Sequence, residues 1–236
     1  MNTSETLLVT GASRGIGLAL TQTLLQAGHR VIATCRRPDD ADALTALAAV
    51  TASNEGARLE VLPLDVGDAG SVAGLASTLA GRPIDVLVNN AGRMRREQGI
   101  DDLDCEDWAA TLAINTIAPV RIAAALKPNL LLAPGARLVS VSSQMGSLER
   151  ASSGDIAYRS SKAALNMAMR CLADEWRADG IAVVMVHPGW VSTDMGGAGA
   201  ALTPRDSAAD LAALVGRVTL ADTGTFLNHD GSPMPW

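Results

Sequence analysis

Short, continuously apolar runs alternate with longer amphipathic stretches along the whole chain. Runs that are apolar throughout, rather than at every second position, suit strands covered on both faces, as in a parallel sheet. The pattern predicts strands over residues 7–11, 30–35, 59–64, 85–88, 137–141, 181–186 and 225–228. Between them it predicts helices over 15–27, 39–53, 68–79, 104–131 (in one or two pieces), 155–177 and 204–217, with Asp68 as a cap. Repeated strand–helix units joined by right-handed crossovers give an α/β fold. Its expected form is one doubly wound, mainly parallel sheet of about seven strands with helices on both faces. No linker, repeat or low-complexity stretch divides the sequence, so residues 1–236 are expected to form a single domain. Ligands of such sheets bind beyond the C-terminal ends of the strands. The residues that follow each strand are therefore where chemistry is to be sought.

With one Phe, one Tyr and four Trp, the core must be aliphatic. A net charge of -6 and a pI near 5.0 argue against a nucleic-acid partner. No apolar stretch is expected to reach the ~20 residues that span a bilayer, and the N-terminus lacks a secretory pattern, so no membrane role and a cytoplasmic location are expected. Cys35, Cys105 and Cys171 lie far apart and read as free thiols. His29, His187 and His229 lack metal-site spacing and read as structural; no metal is expected, and no Ser-His-Asp triad is supported.

The turn after the first strand reads Thr10-Gly11-Ala12-Ser13-Arg14-Gly15-Ile16-Gly17. Glycines here permit a tight turn and let a pyrophosphate approach the backbone, while a helix N-terminus offers free N–H groups and a positive dipole end. A plain connecting turn is the bland alternative. An NAD site usually places an acid at the end of the second strand. That region reads Thr34-Cys35-Arg36-Arg37, with no acid until Asp39. Arg36 and Arg37, with Arg14 projecting towards the same place, suit a 2′-phosphate, which a guanidinium binds through its planar fork. NADP is favoured over NAD, the alternative being that these arginines are solvated surface charges.

The residues TGASRGIG, Asp65-Val66, Asn89-Asn90-Ala91-Gly92, Asn115, Ser142-Ser143, Tyr158-Arg159-Ser160-Ser161-Lys162 and Pro188-Gly189 occur in that order after successive strands. This ordered set resembles the short-chain dehydrogenase/reductase family along the whole chain. The segments AYRSSKAALNM, HPGWVSTDMGG and the tail further resemble its C-factor-like branch, close to sniffer-type carbonyl reductases. The resemblance implies a Rossmann fold and a catalytic set of Asn115, Ser143, Tyr158 and Lys162. It implies cofactor contacts from Gly11, Ser13, Arg14, Gly15, Ile16 and Gly17, and from Asp65 and Val66 at the adenine. Asn90, Ala91 and Gly92 would flank the ribose, and Pro188, Gly189, Val191 and Thr193 the nicotinamide carboxamide. Tyr158 and Lys162, four apart on one helix, share a face. A free phenol titrates at about 10 and is a poor base; a nearby ammonium and the positive nicotinamide of the oxidised cofactor favour its phenolate. Ser143 would steady charge on the substrate oxygen, with Ser142 as its rival.

Asn115 carries a further clue. Its carbonyl would pair with the N–H four residues on, but that residue is Pro119, which has none. The carbonyl is then free to hold a water, which in the family supports a proton relay beside the lysine; alternatively Pro119 only kinks the helix. Beyond Thr193 the small residues suggest a mobile lid. The run Arg93-Met94-Arg95-Arg96 faces an anionic substrate or is a solvated loop. The expected activity is NADP(H)-dependent hydride transfer between nicotinamide and a carbonyl or secondary alcohol of a small molecule, leaning towards reduction. The alternatives are an NADP-binding signalling or regulatory protein of the C-factor type, and a purely structural interaction protein. A homodimer or homotetramer is implied by the resemblance, through the long helices or the C-terminal strand and tail.

Overall fold

The computed structural model describes residues 4–51, 58–96 and 99–236. Seven strands form one sheet: β1 (Thr6–Thr10), β2 (Arg30–Cys35), β3 (Leu59–Pro63), β4 (Val86–Asn89), β5 (Arg137–Val141), β6 (Ala182–His187) and β7 (Phe226–Asn228). Their order is β3-β2-β1-β4-β5-β6-β7, and every neighbouring pair is parallel. The direction of winding reverses between β1 and β4, which opens a crevice at their C-terminal ends.

Alternation along each strand sorts the aliphatic side chains into two cores. Leu7, Val9, Val139 and Val184 pack under Leu20 and Leu24 of helix α1 (Gly15–Gln26) and Leu211 of α7 (Pro204–Arg217). Leu8, Leu87, Leu138 and Val183 face the opposite way. They meet Ile122 and Leu126 of α5 (Ala118–Leu130) and Leu165 and Met169 of α6 (Ile156–Trp176). This two-sided burial explains why the strands read as unbroken apolar runs.

Helix starts follow local chemistry. Asp68 accepts from the Gly70 amide at 2.8 Å and opens α3 (Ala69–Thr78), as expected. Asp104 accepts from the amides of Glu106 and Asp107 and opens α4 (Cys105–Leu112). Thr203 and Asp206 form a reciprocal cap, with Pro204 in the first turn of α7. The helix expected over 39–53 is a 3₁₀ turn at Pro38–Asp40 followed by α2 (Asp42–Thr51); its expected last two residues lie outside the described ones. Short 3₁₀ turns at Ile100–Asp102, Gln144–Gly146, Arg177–Asp179 and Leu220–Asp222 were not expected from the pattern.

The long helix is in two pieces, joined by a π-helical turn at Ala113–Ile117. There the Ala118 amide donates to the Ala113 carbonyl, five residues back. Pro119 is the reason the ordinary ladder cannot run through: it has no N–H for the Asn115 carbonyl. One expectation is corrected here. The stretch Cys105–Leu130 is, by length and composition, apolar enough to cross a membrane. Its apolar character has a use within the fold, since α5 covers β4 and β5 and the stretch lies along α6.

Candidate active site

At the end of β1 the chain turns where only glycine fits. Gly11 has φ +67°, and a Cβ there would come within 2.9 Å of the Ala91 backbone. A Cβ at Gly17 would run into the Gly11 carbonyl and stand 2.5 Å from Asn90 Nδ2. The facing segment is fastened to this turn. The amides of Asn90 and Ala91 both donate to Thr10 Oγ1 at 3.0 Å, and Asn90 Nδ2 donates to the carbonyls of Thr10 (2.8 Å) and Gly11 (3.2 Å). The Asn90 side chain thus holds the turn in place. Helix α1 starts at Gly15 behind Arg14, which makes no side-chain cap, so its first amides and dipole end are not taken up by a side chain. Ser13, Gly15 and Ile16 are half-buried around this opening. A bare backbone cradle at an uncapped helix start fits the diphosphate of a dinucleotide.

The three arginines expected around a 2′-phosphate part company. Arg36, just after β2, is exposed and has no partner among the described residues. Arg37 pairs with Asp40 at 3.0 Å. Arg14 turns instead to Asp194 in the loop after β6, and both side chains are largely exposed. Asp65 is exposed, with one carboxylate oxygen accepting from the Gly67 amide at 2.9 Å, and Val66 packs half-buried beside it.

Tyr158, Lys162, Ser143 and Asn115 are brought to one place. Tyr158 and Lys162 share a face of α6, with Lys162 Nζ 5.8 Å from the phenol ring centre. Both are buried, and Lys162 Nζ donates to the Val141 carbonyl at 2.8 Å. Burial pushes the phenol up to about 12; the Ser143 hydrogen bond and the Arg96 charge pull the other way, and the Asp155 charge adds to the rise. The lowering expected from a neighbouring ammonium is therefore not the outcome in the protein alone: desolvation dominates, and the opposing contributions come from Ser143 and Arg96 and not from Lys162. Burial also brings the Lys162 ammonium down to about 8.

The two serines after β5 separate cleanly. Ser142 turns into the core and donates to Asn166 Oδ1 of α6 at 2.6 Å. Ser143 stands beside Tyr158 and accepts from the Met145 amide at 3.1 Å. The Asn115 side chain is fully engaged. Its Oδ1 accepts from the Arg93 amide (2.8 Å), and its Nδ2 donates to the Arg93 carbonyl (2.8 Å) and to Ser161 Oγ (3.0 Å). It ties the segment after β4 to the helix that carries Tyr158, which leaves the backbone carbonyl as the group this residue can offer to a relay. Gly92 lies against the same knot: a Cβ there would stand 3.3 Å from Asn115 Oδ1 and 3.8 Å from Lys162 Nζ.

The stretch after β6 is more organised than its small residues suggested. The Pro188 carbonyl accepts from Ser207 Oγ at 2.7 Å, Gly189 has φ +84°, and Val191 is buried and bridges to Leu202. Thr193 Oγ1 accepts from the Gly196 amide, and the Trp190 indole donates to the Gly196 carbonyl at 2.9 Å. The loop is held to the rest of the protein through Arg14–Asp194 and through Arg96, which donates to the Met195 carbonyl at 3.2 Å.

Several participants were not singled out from the sequence. Asp194 and Asp155 are partners of arginines far away in the chain, so no local pattern marks them. Asn166, four residues after Lys162 and on the same helical face, had a signal in that spacing. The arginine cluster is mostly neutralised: Arg93 pairs with Asp107, Arg95 with Asp104 at 3.2 Å and Arg96 with Asp155 at 3.2 Å.

A family model described as short chain dehydrogenase matches residues 5–201. C-signal of Myxococcus xanthus is 39% identical over 162 residues, which are 68% of this chain and 98% of that protein. Among solved structures, carbonyl reductase Sniffer of D. melanogaster superposes with a TM-score of 0.92 at 30% identity, covering 99% of this chain and 100% of that one. The NADPH-bound carbonyl reductase from chicken fatty liver superposes with a TM-score of 0.90 at 35% identity, covering 99% of each chain.

Proposed function

This chain belongs to the short-chain dehydrogenase family, in the branch that holds C-signal and the Sniffer carbonyl reductases, and from that premise we propose that it is an NADP(H)-dependent carbonyl reductase acting as one domain. The observation that carries the reading is the convergence of Tyr158, Lys162 and Ser143 on one point beside the glycine cradle. NADP(H) is favoured by the NADPH-bound neighbour and by Arg36, which is exposed and has no partner among the described residues. The bound cofactor supplies the hydride.

The protein's own part is to orient one oxygen and deliver one proton. Ser143 orients the substrate carbonyl with its hydroxyl. Tyr158 donates its Oη proton to the carbonyl oxygen. A phenol held up to about 12 stays protonated throughout the neutral range, so it is ready as a donor in the reductive direction. Oxidation needs the phenolate, which burial opposes and the positive charge of an oxidised nicotinamide would favour. Lys162, brought to about 8, exchanges protons near neutral pH and re-protonates the phenol. The Asn115 carbonyl, deprived of an α-helical donor by Pro119, holds the water that leads from Lys162 to solvent.

The test is a fluorescence titration with NADPH beside NADH, followed by Tyr158→Phe. Tighter NADPH binding that Arg36→Ala weakens is the expected result. Tyr158→Phe should keep cofactor binding and lose turnover by roughly a hundred-fold or more. Turnover that survives this change rules out the assigned proton donor. A second reading has the likeness to C-signal in its favour: an NADP-binding signalling protein, whose cellular role would survive Tyr158→Phe. Assembly as a homodimer or homotetramer through the long helices or the C-terminal strand and tail is proposed with either reading.

A further inference from the structure

Arg96 is placed differently from its neighbours. Arg93 and Arg95 are drawn back onto Asp107 and Asp104 at the start of α4. Arg96 reaches across the mouth of the site. One Nη donates to Asp155, the residue before the helix that carries Tyr158, and the other to the Met195 carbonyl, two residues beyond Thr193. Both contacts are single bonds of 3.2 Å. A guanidinium has five N–H groups, so most of its fork is open as far as the described residues go. Its side chain is 60% exposed, whereas that of Asp155 is 16% exposed. The carboxylate thus sits inside and the cation faces outward.

Asp155 itself takes a left-handed backbone, which Asp and Asn adopt more readily than other non-glycine residues. It has φ 51° and ψ 39°, and it is the non-glycine residue with positive φ among the described residues. The backbone therefore sets this carboxylate where it anchors Arg96 at the helix start. The Arg96 charge acts on the Tyr158 phenol more strongly than the Asp155 charge does. A second guanidinium lies along the segment after β5. Arg150 donates to Gln144, the residue after Ser143, at 3.1 Å, and its charge is felt by His187 at the end of β6. In a protein with net charge -6, Arg96 is thus a cation whose charge reaches the candidate proton donor.

We infer that the substrates of this site are carbonyl compounds that also carry a carboxylate, and that Arg96 is the residue that selects them. The inference rests on the reductase reading given above. An anion attracted to this guanidinium gains charge-assisted hydrogen bonds from the open side of its fork. Arg96 remains tied to Asp155 and Met195 while it does so, and is already oriented before substrate arrives. The orientation also links substrate to the loop after β6, since the same guanidinium holds both.

A matched pair of aldehydes tests this: 4-carboxybenzaldehyde and its methyl ester, with NADPH oxidation as the readout. The carboxylate is expected to be preferred by about ten-fold or more in kcat/KM, mainly through KM. Arg96→Gln should collapse the ratio of the two substrates towards one, and Arg96→Lys should retain part of it. The ratio is the informative quantity, because a merely structural disturbance around Tyr158 slows both substrates alike. Calorimetry of terephthalate binding to the NADPH-loaded protein gives a readout without turnover, expected to weaken about ten-fold in Arg96→Gln. If the ester is reduced as well as the acid, the anion site is overturned and the reductase reading stands. If neither aldehyde is reduced, the reductase reading falls. In that case terephthalate binding that depends on Arg96 still upholds the anion site, and its absence overturns that too.

Discussion

His187 makes a quantitative prediction about acid stability. It ends β6 with 8% of its surface exposed, and its Nδ1 is buried with no hydrogen-bond partner among the described residues. Burial, then the charges of His229 and Arg150, push its pKa from 6.5 down to about 4. The folded protein therefore keeps the ring neutral over a range in which the unfolded chain protonates it. Stability from this group is fully present above the unfolded value of 6.5 and is lost as pH falls towards the folded value of about 4. A difference of about 2.5 pKa units corresponds to about 3 kcal/mol, of which roughly 2–3 kcal/mol has gone by about pH 4.5. That is a large share of the ~5–15 kcal/mol that holds a domain folded. The assay is urea unfolding of the native protein and of His187→Leu at about pH 7 and about pH 4.5. Carboxylates titrate in both proteins, so the difference between their two pH-induced losses isolates His187. The variant should lose about 2–3 kcal/mol less on acidification, and it should be no weaker than the native protein at neutral pH, because an orphaned polar atom has been removed. Equal acid losses in the two proteins would refute the reasoning.

Three other perturbations are informative. Ser143→Ala should lower turnover by roughly a hundred-fold with little change in stability, whereas Ser142→Ala should spare turnover and cost about 1–2 kcal/mol by leaving Asn166 Oδ1 unpaired; denaturation and steady-state rates on both variants decide, and the reverse pattern would exchange their roles. Asp194→Asn releases Arg14 from an exposed ion pair and should tighten NADPH by two- to five-fold, roughly the worth of such a pair; weaker binding in the titration would mean that Asp194 positions Arg14 instead of competing for it. Pro119→Ala restores an N–H for the Asn115 carbonyl and should slow turnover while the helix stays folded by circular dichroism; unchanged turnover would leave Pro119 with a purely structural part.

The sheet was legible because its strands are buried on both sides, so hydrophobicity alone located them to within a residue or two. The site was legible wherever its chemistry is local: Tyr158 and Lys162 share a face because they are one helical turn apart. The choice between the two serines was open in the sequence but follows from strand alternation once β5 is placed. Leu138 and Ser140 alternate with Val139 and Val141, so Ser142 falls on the α6 side and meets Asn166, while Ser143 lies past the strand end. Pro119 marked a break in the long helix, yet a missing donor is equally compatible with a kink and with a π-helical turn. Long-range pairings were beyond reach. Arg14 and Asp194 are 180 residues apart, and nothing in the glycine turn announces an acid on the far loop. The phenol's raised pKa was also hidden, since burial is a property of the fold and spacing measures only the lysine's proximity.

Tyr158 is the sole tyrosine of the chain, and it is buried. Every tyrosinate signal in an ultraviolet difference spectrum therefore belongs to the proposed proton donor. The native fold acts as a shield around a built-in chromophore. In alkaline solution the absorbance of ionised phenol reports, residue-specifically and without any label, whether the pocket is closed, filled or open.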